Sequence, residues 1–255
     1  MRLIVLAAPG PSTDILLNYL DDAGHSATAI LMEPTQSRSA LLRGRARRLG
    51  WRAVFGQVLF IAIALPFLKR GSVNRLKDIQ TANGLRPDPV TEDRVTTISS
   101  VNAPETLELL RRLAPDVVML SGTRIVKPGV LKAAGAPVLN IHAGITPEFR
   151  GVHGGYWAKW TERSEDFGAT LHVVDPGVDT GAVLEHVRPI CETQDNFVTY
   201  PLLQLASALP ALVKVLNRLN EGHPLPEPIQ TNTTGQQWYH PTLGQYLTGL
   251  WRGVR

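Results

Sequence analysis

The amino-acid sequence predicts one α/β domain built on a doubly wound, mainly parallel sheet. Short apolar runs of strand length alternate with segments of helical periodicity, a pattern typical of consecutive βαβ units. The chain has 255 residues, of which 44% are apolar, so it can bury one substantial core. Polar side chains follow several of the apolar runs, at the strand ends where open α/β sheets bind their ligands.

Each element follows from a local pattern. Strands are predicted at residues 2–8, 27–32, 95–98, 116–120, 137–142, 170–174 and 183–189. Helices are predicted at residues 12–23, 104–113 and 195–220, with Ser12 as the N-cap of the first and bends at Pro201 and Pro210 in the last. After Gly222 the sequence becomes polar and rich in proline, so we expect an extended tail there.

Positive charge is concentrated in one part of the chain. The net charge is +4, but residues 43–77 carry nine Lys and Arg and no acid, whereas the rest of the chain carries 17 basic and 22 acidic residues. This local basicity indicates one anionic partner surface rather than general affinity for nucleic acid. The single cysteine, Cys191, suits a reducing compartment, and the short apolar N-terminus is not typical of a secretory signal. We therefore expect a cytoplasmic location.

An apolar segment lies inside this basic region. Residues 58–68 are apolar throughout, and Arg and Lys flank them on both sides. A membrane-spanning helix needs about 20 apolar residues, so this run alone is too short to cross a bilayer. Two interpretations stay open. Together with Trp51 and Phe55, the segment 43–70 contacts an anionic membrane on its inner face, or the apolar helix is buried in the core or in a homodimer interface.

An amide, an imidazole and a carboxylate form the most informative pattern in the chain. Asn140 and His142 lie two residues apart at the end of a predicted strand, which places them on one face of it. Asp179 follows a later strand in a turn that contains glycine. These three groups can stabilise an oxyanion and move the protons of an acyl transfer. The residues alone therefore favour acyl or one-carbon transfer, with a structural role for polar strand ends as the alternative.

The histidines do not have the spacing of a metal site. His142, His153, His172 and His186 form neither close pairs nor a Cys/His set, so no metal is predicted. Nothing in the sequence around Cys191 indicates an activated thiol.

Two segments carry a resemblance to a known family. Residues 138–151 (Val-Leu-Asn-Ile-His-Ala-Gly-Ile-Thr-Pro-Glu-Phe-Arg-Gly) and residues 168–181 (Gly-Ala-Thr-Leu-His-Val-Val-Asp-Pro-Gly-Val-Asp-Thr-Gly) closely resemble the two catalytic segments of the folate-dependent formyltransferases. That superfamily includes the glycinamide ribonucleotide, methionyl-tRNA and nucleotide-sugar N-formyltransferases. The resemblance is close over residues 90–190 and looser over residues 1–35. It does not extend to residues 36–85 or to the C-terminal third.

The resemblance implies a reaction and assigns roles to residues. It implies that a formyl group moves from 10-formyltetrahydrofolate to a primary amine, with Asn140 and His142 at the oxyanion and Asp179 moving protons. The folate is then expected to contact Ser121, Gly122, Thr123, Arg124, Ile125, Val126 and Val178. The acceptor is expected to contact Ser12 and Thr13 at the N-terminal turn, and Arg150, Gly151, His153 and Tyr156 beside the catalytic strand.

The resemblance leaves several acceptors open. The Arg-Gly and His-Gly-Gly-Tyr-Trp runs after Pro147 favour an amino sugar, nucleotide- or lipid-linked, used in surface polysaccharide synthesis. A glycinamide ribonucleotide enzyme of purine synthesis is the alternative, although the N-terminal turn lacks the glycine-rich run of those enzymes. Methionyl-tRNA is disfavoured because the tRNA enzymes carry a further RNA-binding domain, whereas about 60 residues follow Cys191 here. A membrane-docked module without activity is the remaining alternative.

The same comparison gives the expected organisation of the chain. Residues 1–190 are expected to form the catalytic domain, with a helical, basic insertion at about residues 36–85. Residues 191–255 are expected to add a C-terminal helix and tail that pack on the same domain.

Overall fold

The fold is centred on one large β-sheet. A computed structural model of the chain describes residues 1–36, 38–231 and 235–255. The strands are β1 (Leu3–Ala7), β2 (Ala29–Met32), β3 (Val95–Thr97), β4 (Val117–Ser121), β5 (Val138–His142), β6 (Phe149–Gly151), β7 (Ala169–Val173), β8 (Val183–Val187) and β9 (Gln236–Trp238).

The order of these strands confirms the predicted fold class. Seven of them form a sheet in the order β3-β2-β1-β4-β5-β7-β8, and β6 pairs with β9 separately. The pairs from β3 to β5 are parallel, whereas β5-β7 and β7-β8 are antiparallel. The sheet is therefore mainly parallel and changes direction at β5.

Helices cover both faces of the sheet. They are α1 (Pro11–Asp22), α2 (Arg38–Leu49), α3 (Trp51–Leu59), α4 (Leu65–Gly71), α5 (Val73–Ala82), α6 (Pro104–Leu113), α7 (Pro128–Ala134), α8 (Gly154–Trp160), α9 (Tyr200–Asn220) and α10 (Leu243–Trp251). Alternate residues of β1 join two different cores. Leu3 and Val5 pack in the core that α1 and α9 cover, and Ile4 and Leu6 pack in the core that α6 and α7 cover. This alternation makes the fold doubly wound.

Prolines define two helix starts differently from the prediction. Ser12 is not the N-cap of α1, because Gly10 takes that position and Pro11 is the first helical residue. Proline suits this place since its fixed φ and missing N–H cost nothing in the first turn. The same reason explains why α9 begins at Tyr200 and is not interrupted by Pro201, whereas Pro210 lies inside the helix.

The insertion between β2 and β3 is helical, as predicted, but its apolar part is longer than the sequence suggested. α3, a π-helical turn (Phe60–Ala64) and α4 continue as one helix over Trp51–Gly71, which has 21 residues. By length and composition alone this helix could cross a membrane. This corrects the conclusion, drawn from residues 58–68, that the apolar segment is too short to do so. The helix α9 meets the same criterion. The two differ in burial, since 56% of the α9 window is buried and 17% of the Trp51–Gly71 window.

One face of the Trp51–Gly71 helix holds it against the body of the protein. Phe60 is fully buried, and its ring lies 4.9 Å from that of Phe197 and 5.0 Å from that of Tyr246. Gln57 is buried as well, and its Nε2 donates to the carbonyl oxygen of His240 at 2.8 Å. The helix is therefore packed on its inner face.

The residues after α9 form more than the predicted extended tail. β9 pairs in parallel with β6, and α10 begins with a capping box in which Thr242 and Gln245 satisfy each other's backbone. The prediction was wrong because proline and polar residues in 223–237 hid the short apolar periodicity of Leu243–Trp251. Packing on α3 and a hydrogen bond from Trp160 Nε1 of α8 to the Gln245 carbonyl oxygen stabilise this helix, which is too short to be stable alone.

Candidate active site

The polar residues at the end of β5 lie where the sheet changes from parallel to antiparallel. Asn140 is paired with Leu120 of β4 on one side and with His172 of β7 on the other. His142 is paired with Thr170 of β7. Side chains two residues apart in a strand share a face, so this register brings Asn140, His142 and His172 together.

His142 lies between a backbone carbonyl and the carboxylate of Asp179. Its Nε2 is 2.8 Å from the carbonyl oxygen of Phe149, and its Nδ1 is 3.4 Å from Asp179 Oδ2. The backbone N–H of Gly151 donates to the same carboxylate oxygen at 3.0 Å. Because a carbonyl oxygen only accepts, Nε2 carries a hydrogen, and the approach of Nδ1 to the carboxylate is attractive when Nδ1 is protonated too. The geometry therefore suits an imidazolium paired with Asp179.

His172 orients the amide of Asn140. His172 Nε2 is 3.1 Å from Asn140 Nδ2, and its Nδ1 is 3.2 Å from the carbonyl oxygen of Val173. With Nδ1–H donated to that carbonyl, Nε2 accepts from the amide, which requires a neutral ring. Burial lowers the pKa of His172 and so favours this form, although the negative charge of Asp179 acts in the opposite direction. His172 thus fixes an amide that also lines a cleft.

The turn that carries Asp179 depends on tight backbone packing. Asp179 has a φ of 50°, in the left-handed region that aspartate tolerates better than most residues. A Cβ at Gly181 would collide with the carbonyl oxygen of Val173, so only glycine fits there. Asp175 Oδ1 accepts a hydrogen bond from the Thr180 hydroxyl at 2.7 Å. These contacts fix the loop that presents the carboxylate to His142.

Thr170 ties the loop after β5 to β7. Its hydroxyl donates to the carbonyl oxygen of Gly144 at 2.7 Å and accepts from the backbone N–H of Thr146 at 3.0 Å. Thr170 is fully buried, so both bonds are shielded from water. Thr170, in the segment 168–181, therefore positions the loop after β5.

A cleft of 340 Å³ opens beside these polar residues. Asn140, His142 and Asp179 line it together with Gly151 and His172. The other lining residues are Leu120, Gly122, Thr123, Arg124, Ile125, Val126, Val152, Val174, Asp175, Gly177 and Val178. All of the residues expected to contact folate lie here except Ser121, which faces a second cleft.

Glu33, which the sequence analysis did not single out, holds the loop that forms one wall of this cleft. It directly follows β2, is 2% exposed, and accepts from the backbone N–H of Arg124 at 2.7 Å and of Val101 at 2.9 Å. The Arg124 guanidinium lies 2.7 Å from the same carboxylate. A carboxylate directly after an apolar strand was the available signal, but its partners are distant in sequence.

A second, smaller cleft of 150 Å³ adjoins the first. Both are lined by Leu120, Gly122 and Asn140, so the Asn140 amide lies at their junction. Ser12, at the start of α1, lines the smaller cleft. Thr13 does not line it, because its buried hydroxyl is 2.8 Å from both the Ala8 carbonyl oxygen and the Ser121 hydroxyl.

The remaining residues expected to contact the acceptor are divided by the structure. Gly151 lines the 340 Å³ cleft, whereas Arg150, in β6, lines neither cleft. His153 Nε2 lies 3.1 Å from His240 Nδ1, and burial lowers the pKa values of both rings. Tyr156 is 1% exposed in the core, and burial raises the pKa of its phenol. His153 and Tyr156 therefore line neither cleft.

Two further observations delimit the site. Among the described residues, no group of three or more His, Cys, Asp or Glu side chains could hold a metal ion. A larger cavity of 910 Å³ lies between β8, α9 and the segment after α9, and it shares no lining residue with either of the two clefts.

Comparisons with known proteins bear on this geometry. Residues 76–200 match the family model described as formyl transferase. Over 129 residues the chain is 30% identical to the GDP-perosamine N-formyltransferase of Brucella melitensis biotype 1, covering 50% of this chain and 49% of that protein. It is 34% identical over 131 residues to the methionyl-tRNA formyltransferase of Synechococcus sp. (strain JA-3-3Ab), covering 49% and 39%. The chain thus spans half or less of the length of these relatives.

A solved structure extends the likeness to the whole fold. A sugar N-formyltransferase from Shewanella sp FDAARGOS_354 superimposes with a TM-score of 0.57, covering 93% of this chain and 76% of that one, at 13% identity. At this identity the superposition speaks for the fold only. The matched segment contains the residues that line the larger cleft around Asn140, His142 and Asp179. The match places residues 76–200 of this chain in the formyl transferase family.

Proposed function

We propose that the protein transfers a formyl group from 10-formyltetrahydrofolate to the primary amine of an amino sugar. One observation carries the proposal: an oriented amide (Asn140) lies at the junction of two clefts, and a paired imidazole (His142) and a carboxylate (Asp179) line the larger of them beside it. Two clefts that share a hydrogen-bond donor, with acid and base groups in one of them, suit a reaction between two bound substrates.

The catalytic residues divide the chemistry among them. The bound donor supplies an electrophilic formyl carbon attached to N10, the nitrogen that links its two ring systems. Asn140, oriented by His172, donates to the formyl oxygen as it becomes negative, an effect worth ~3 kcal/mol for one donor. Protonated His142 adds positive charge beside that oxygen. Asp179 accepts, through a water, the proton that the attacking amine loses. A new carbon–nitrogen bond to the amine replaces the bond to the donor, whose nitrogen takes up a proton.

The larger cleft suits the folate donor. Its walls include the apolar side chains of Leu120, Ile125, Val126 and Val174, which can cover a flat ring system. The loop that Glu33 holds through the Arg124 N–H forms the edge of that wall. The formyl group would then point to the amide of Asn140.

The smaller cleft suits an acceptor that carries phosphate. Ser12 and the first turn of α1, a helix of 12 residues, border it, and the backbone N–H groups of a helix N-terminus attract phosphate. A nucleotide- or lipid-linked sugar and glycinamide ribonucleotide both bring such a group. The likeness to a GDP-perosamine enzyme favours the sugar, of the kind used in surface polysaccharides. A cytoplasmic site of action fits the single cysteine.

Two measurements test the proposal. First, a non-hydrolysable folate analogue at 100 times its Kd should add ~2.7 kcal/mol of stability by mass action and raise Tm. Second, turnover of 10-formyltetrahydrofolate should be followed with nucleotide-linked amino sugars, glycinamide ribonucleotide and methionyl-tRNA as acceptors. We expect formylation of an amino sugar, detected by the mass of the product. An absent Tm shift at saturating analogue would overturn the donor, and turnover with another acceptor alone would replace the sugar.

A further inference from the structure

The outer face of the Trp51–Gly71 helix is a continuous apolar surface. Its large side chains follow one another every two to four residues, and most point away from the body. Trp51, Phe55 and Phe67 are 68%, 65% and 76% exposed, and Val58, Ile61 and Ile63 are 38–48% exposed. We call these six residues the insertion surface. A soluble fold rarely leaves so many large apolar side chains on one helix without a partner.

The segment that carries the insertion surface contains basic residues and no acids. Arg47, Arg48 and Arg52 are exposed before and within the first turn of the helix, and Lys69 and Arg70 are exposed in its last turn. Residues 43–77 contain no Asp or Glu. A partner that meets this helix along its length therefore has to be apolar in the middle and anionic at its surface.

The C-terminal helix adds to the apolar area. α10 packs on α3 and the π-helical turn, where a Cβ at Gly56 would lie 2.8 Å from Thr242 Cβ. Its outward residues Leu247, Leu250 and Trp251 are 55%, 42% and 87% exposed. Arg252 and Arg255 follow at the chain end, and both are exposed. Two adjoining helices thus present aromatic, aliphatic and basic side chains.

We infer that the insertion surface binds the interface of an anionic lipid bilayer, with the helix lying in the membrane plane. Aromatic and aliphatic residues would enter the boundary between head groups and acyl chains, and the flanking cations would contact anionic head groups. A spanning arrangement is disfavoured, because it would separate Phe60 from Phe197 and Tyr246 and break the bond between Gln57 and His240.

Self-association explains the same surface less well. If two copies met through this helix, each basic flank would face basic residues of the other copy, because the segment offers no acid to pair with them. An anionic bilayer supplies both the apolar layer and the opposite charge. Charge complementarity therefore selects the bilayer as the occupant.

The docked helix is close to the catalytic residues. Gln57 contacts the backbone of His240, and the His240 ring contacts that of His153. Two residues before His153, Gly151 donates to Asp179. Binding at the insertion surface would hold the active site near the membrane, where a lipid-linked acceptor or product is present. This last point rests on the proposed function, but the membrane binding does not.

Flotation with liposomes tests the inference without any catalytic assay. The full chain is mixed with vesicles of phosphatidylcholine alone or with 30% phosphatidylglycerol, in about 0.05 M and about 0.5 M salt. We expect flotation with the anionic vesicles at low salt and strong loss at high salt. Each exposed basic residue near such a surface contributes roughly fivefold, so the triple change Arg47→Gln, Arg48→Gln and Arg52→Gln should weaken partition about 100-fold.

Matched variants distinguish lipid binding by the insertion surface from nonspecific binding by other exposed apolar or basic residues. Phe55→Gln with Phe67→Gln should abolish flotation, whereas Ile190→Gln with Ile229→Gln, which removes two exposed apolar residues elsewhere, should not change it. The charge control, Arg111→Gln with Arg112→Gln and Lys132→Gln, changes three exposed cations on α6 and α7 and should float like the wild type.

Three results would overturn the inference. The wild-type chain could remain in the dense fraction with anionic vesicles at low salt, or the charge control could lose binding as strongly as the Arg47, Arg48 and Arg52 variant. Light scattering could also reveal a dimer that becomes monomeric in the Phe55 and Phe67 variant, in which case the occupant is a second copy. Formylation of a soluble acceptor by the same variants is measured in parallel, so a failure to bind lipid is distinguished from a failure of the proposed function.

Discussion

The buried carboxylate of Glu33 allows a test of how the loop of the larger cleft is held. One oxygen accepts from the backbone N–H of Arg124, and the other accepts from the N–H of Val101 and lies beside the Arg124 guanidinium. Glu33→Gln keeps the shape but replaces one acceptor oxygen by an NH₂ group. The remaining oxygen of the amide should stay on the side of the Val101 N–H and the Arg124 guanidinium. The NH₂ group then faces the Arg124 backbone N–H, and that hydrogen bond is lost.

The magnitude follows from the burial of this group. A hydrogen bond to a buried charged group contributes ~1.5–3 kcal/mol, and a chain of this size loses roughly 2–4 °C in Tm for each kcal/mol. We therefore expect Tm to fall by about 3–12 °C. If the loop contacts the donor, a loss of about 2 kcal/mol in the binding free energy of the donor would lower its affinity by at most ~30-fold.

The assay compares the KM for the donor, the KM for the acceptor and kcat in wild type, Glu33→Gln and a control, Glu105→Gln. Glu105 is an exposed carboxylate that accepts from the Ser99 hydroxyl on the same side of the fold. We expect the donor KM to rise, while the acceptor KM stays near that of the wild type and the control is unchanged. A fall in Tm with unchanged donor KM would refute the reasoning, because Glu33 would then stabilise the fold without positioning the donor loop.

Three further predictions concern the histidines and their partners. His142→Asn and Asp179→Asn should each lower kcat at least 100-fold, with unchanged circular dichroism, because proton transfer and charge at the oxyanion are lost; near-wild-type turnover by either would contradict the mechanism. His172→Gln should keep an acceptor for the Asn140 amide and retain most of kcat, whereas His172→Leu should lose 10- to 100-fold, measured with the pH profile of kcat/KM. Burial lowers the pKa of His240 to about 4 from 6.5, so the unfolded state binds more protons between these values and stability rises with pH there, by about 3 kcal/mol in total. Urea unfolding of wild type and His240→Asn at pH 4.5, 5.5 and 7 should show this pH dependence reduced in the variant, and parallel curves would contradict it.

The parts of the fold that local pattern determines were predictable from the sequence. The apolar runs of β1 and β4 are buried on both faces, so their composition alone identifies them as central strands. The position of Asn140 and His142 on one face of the same strand was predictable, because strand alternation depends only on residue spacing. The helix Pro104–Leu113 agrees with the prediction at both ends because proline marks its start and its leucines repeat at helical intervals.

What depends on distant contacts could not be predicted. Glu33 meets Arg124 across 91 positions, and no local pattern indicates that partner. Thr13 was expected to face a ligand, yet its hydroxyl is used by Ser121, 108 residues away. The sequence also could not show which side of the Trp51–Gly71 helix faces outward. The inward side is set by the contact with Phe197, which is far along the chain.

The position of Asn140 between two clefts has a kinetic consequence. The larger and smaller clefts share its amide but have otherwise different linings, so two ligands could reach it from separate sides. Neither ligand would need to depart before the other arrives, and no side chain would need to carry the transferred group in between. Initial rates measured at several fixed concentrations of one substrate should then give reciprocal plots that intersect. Parallel lines would instead indicate that the group rests on the protein between two half-reactions.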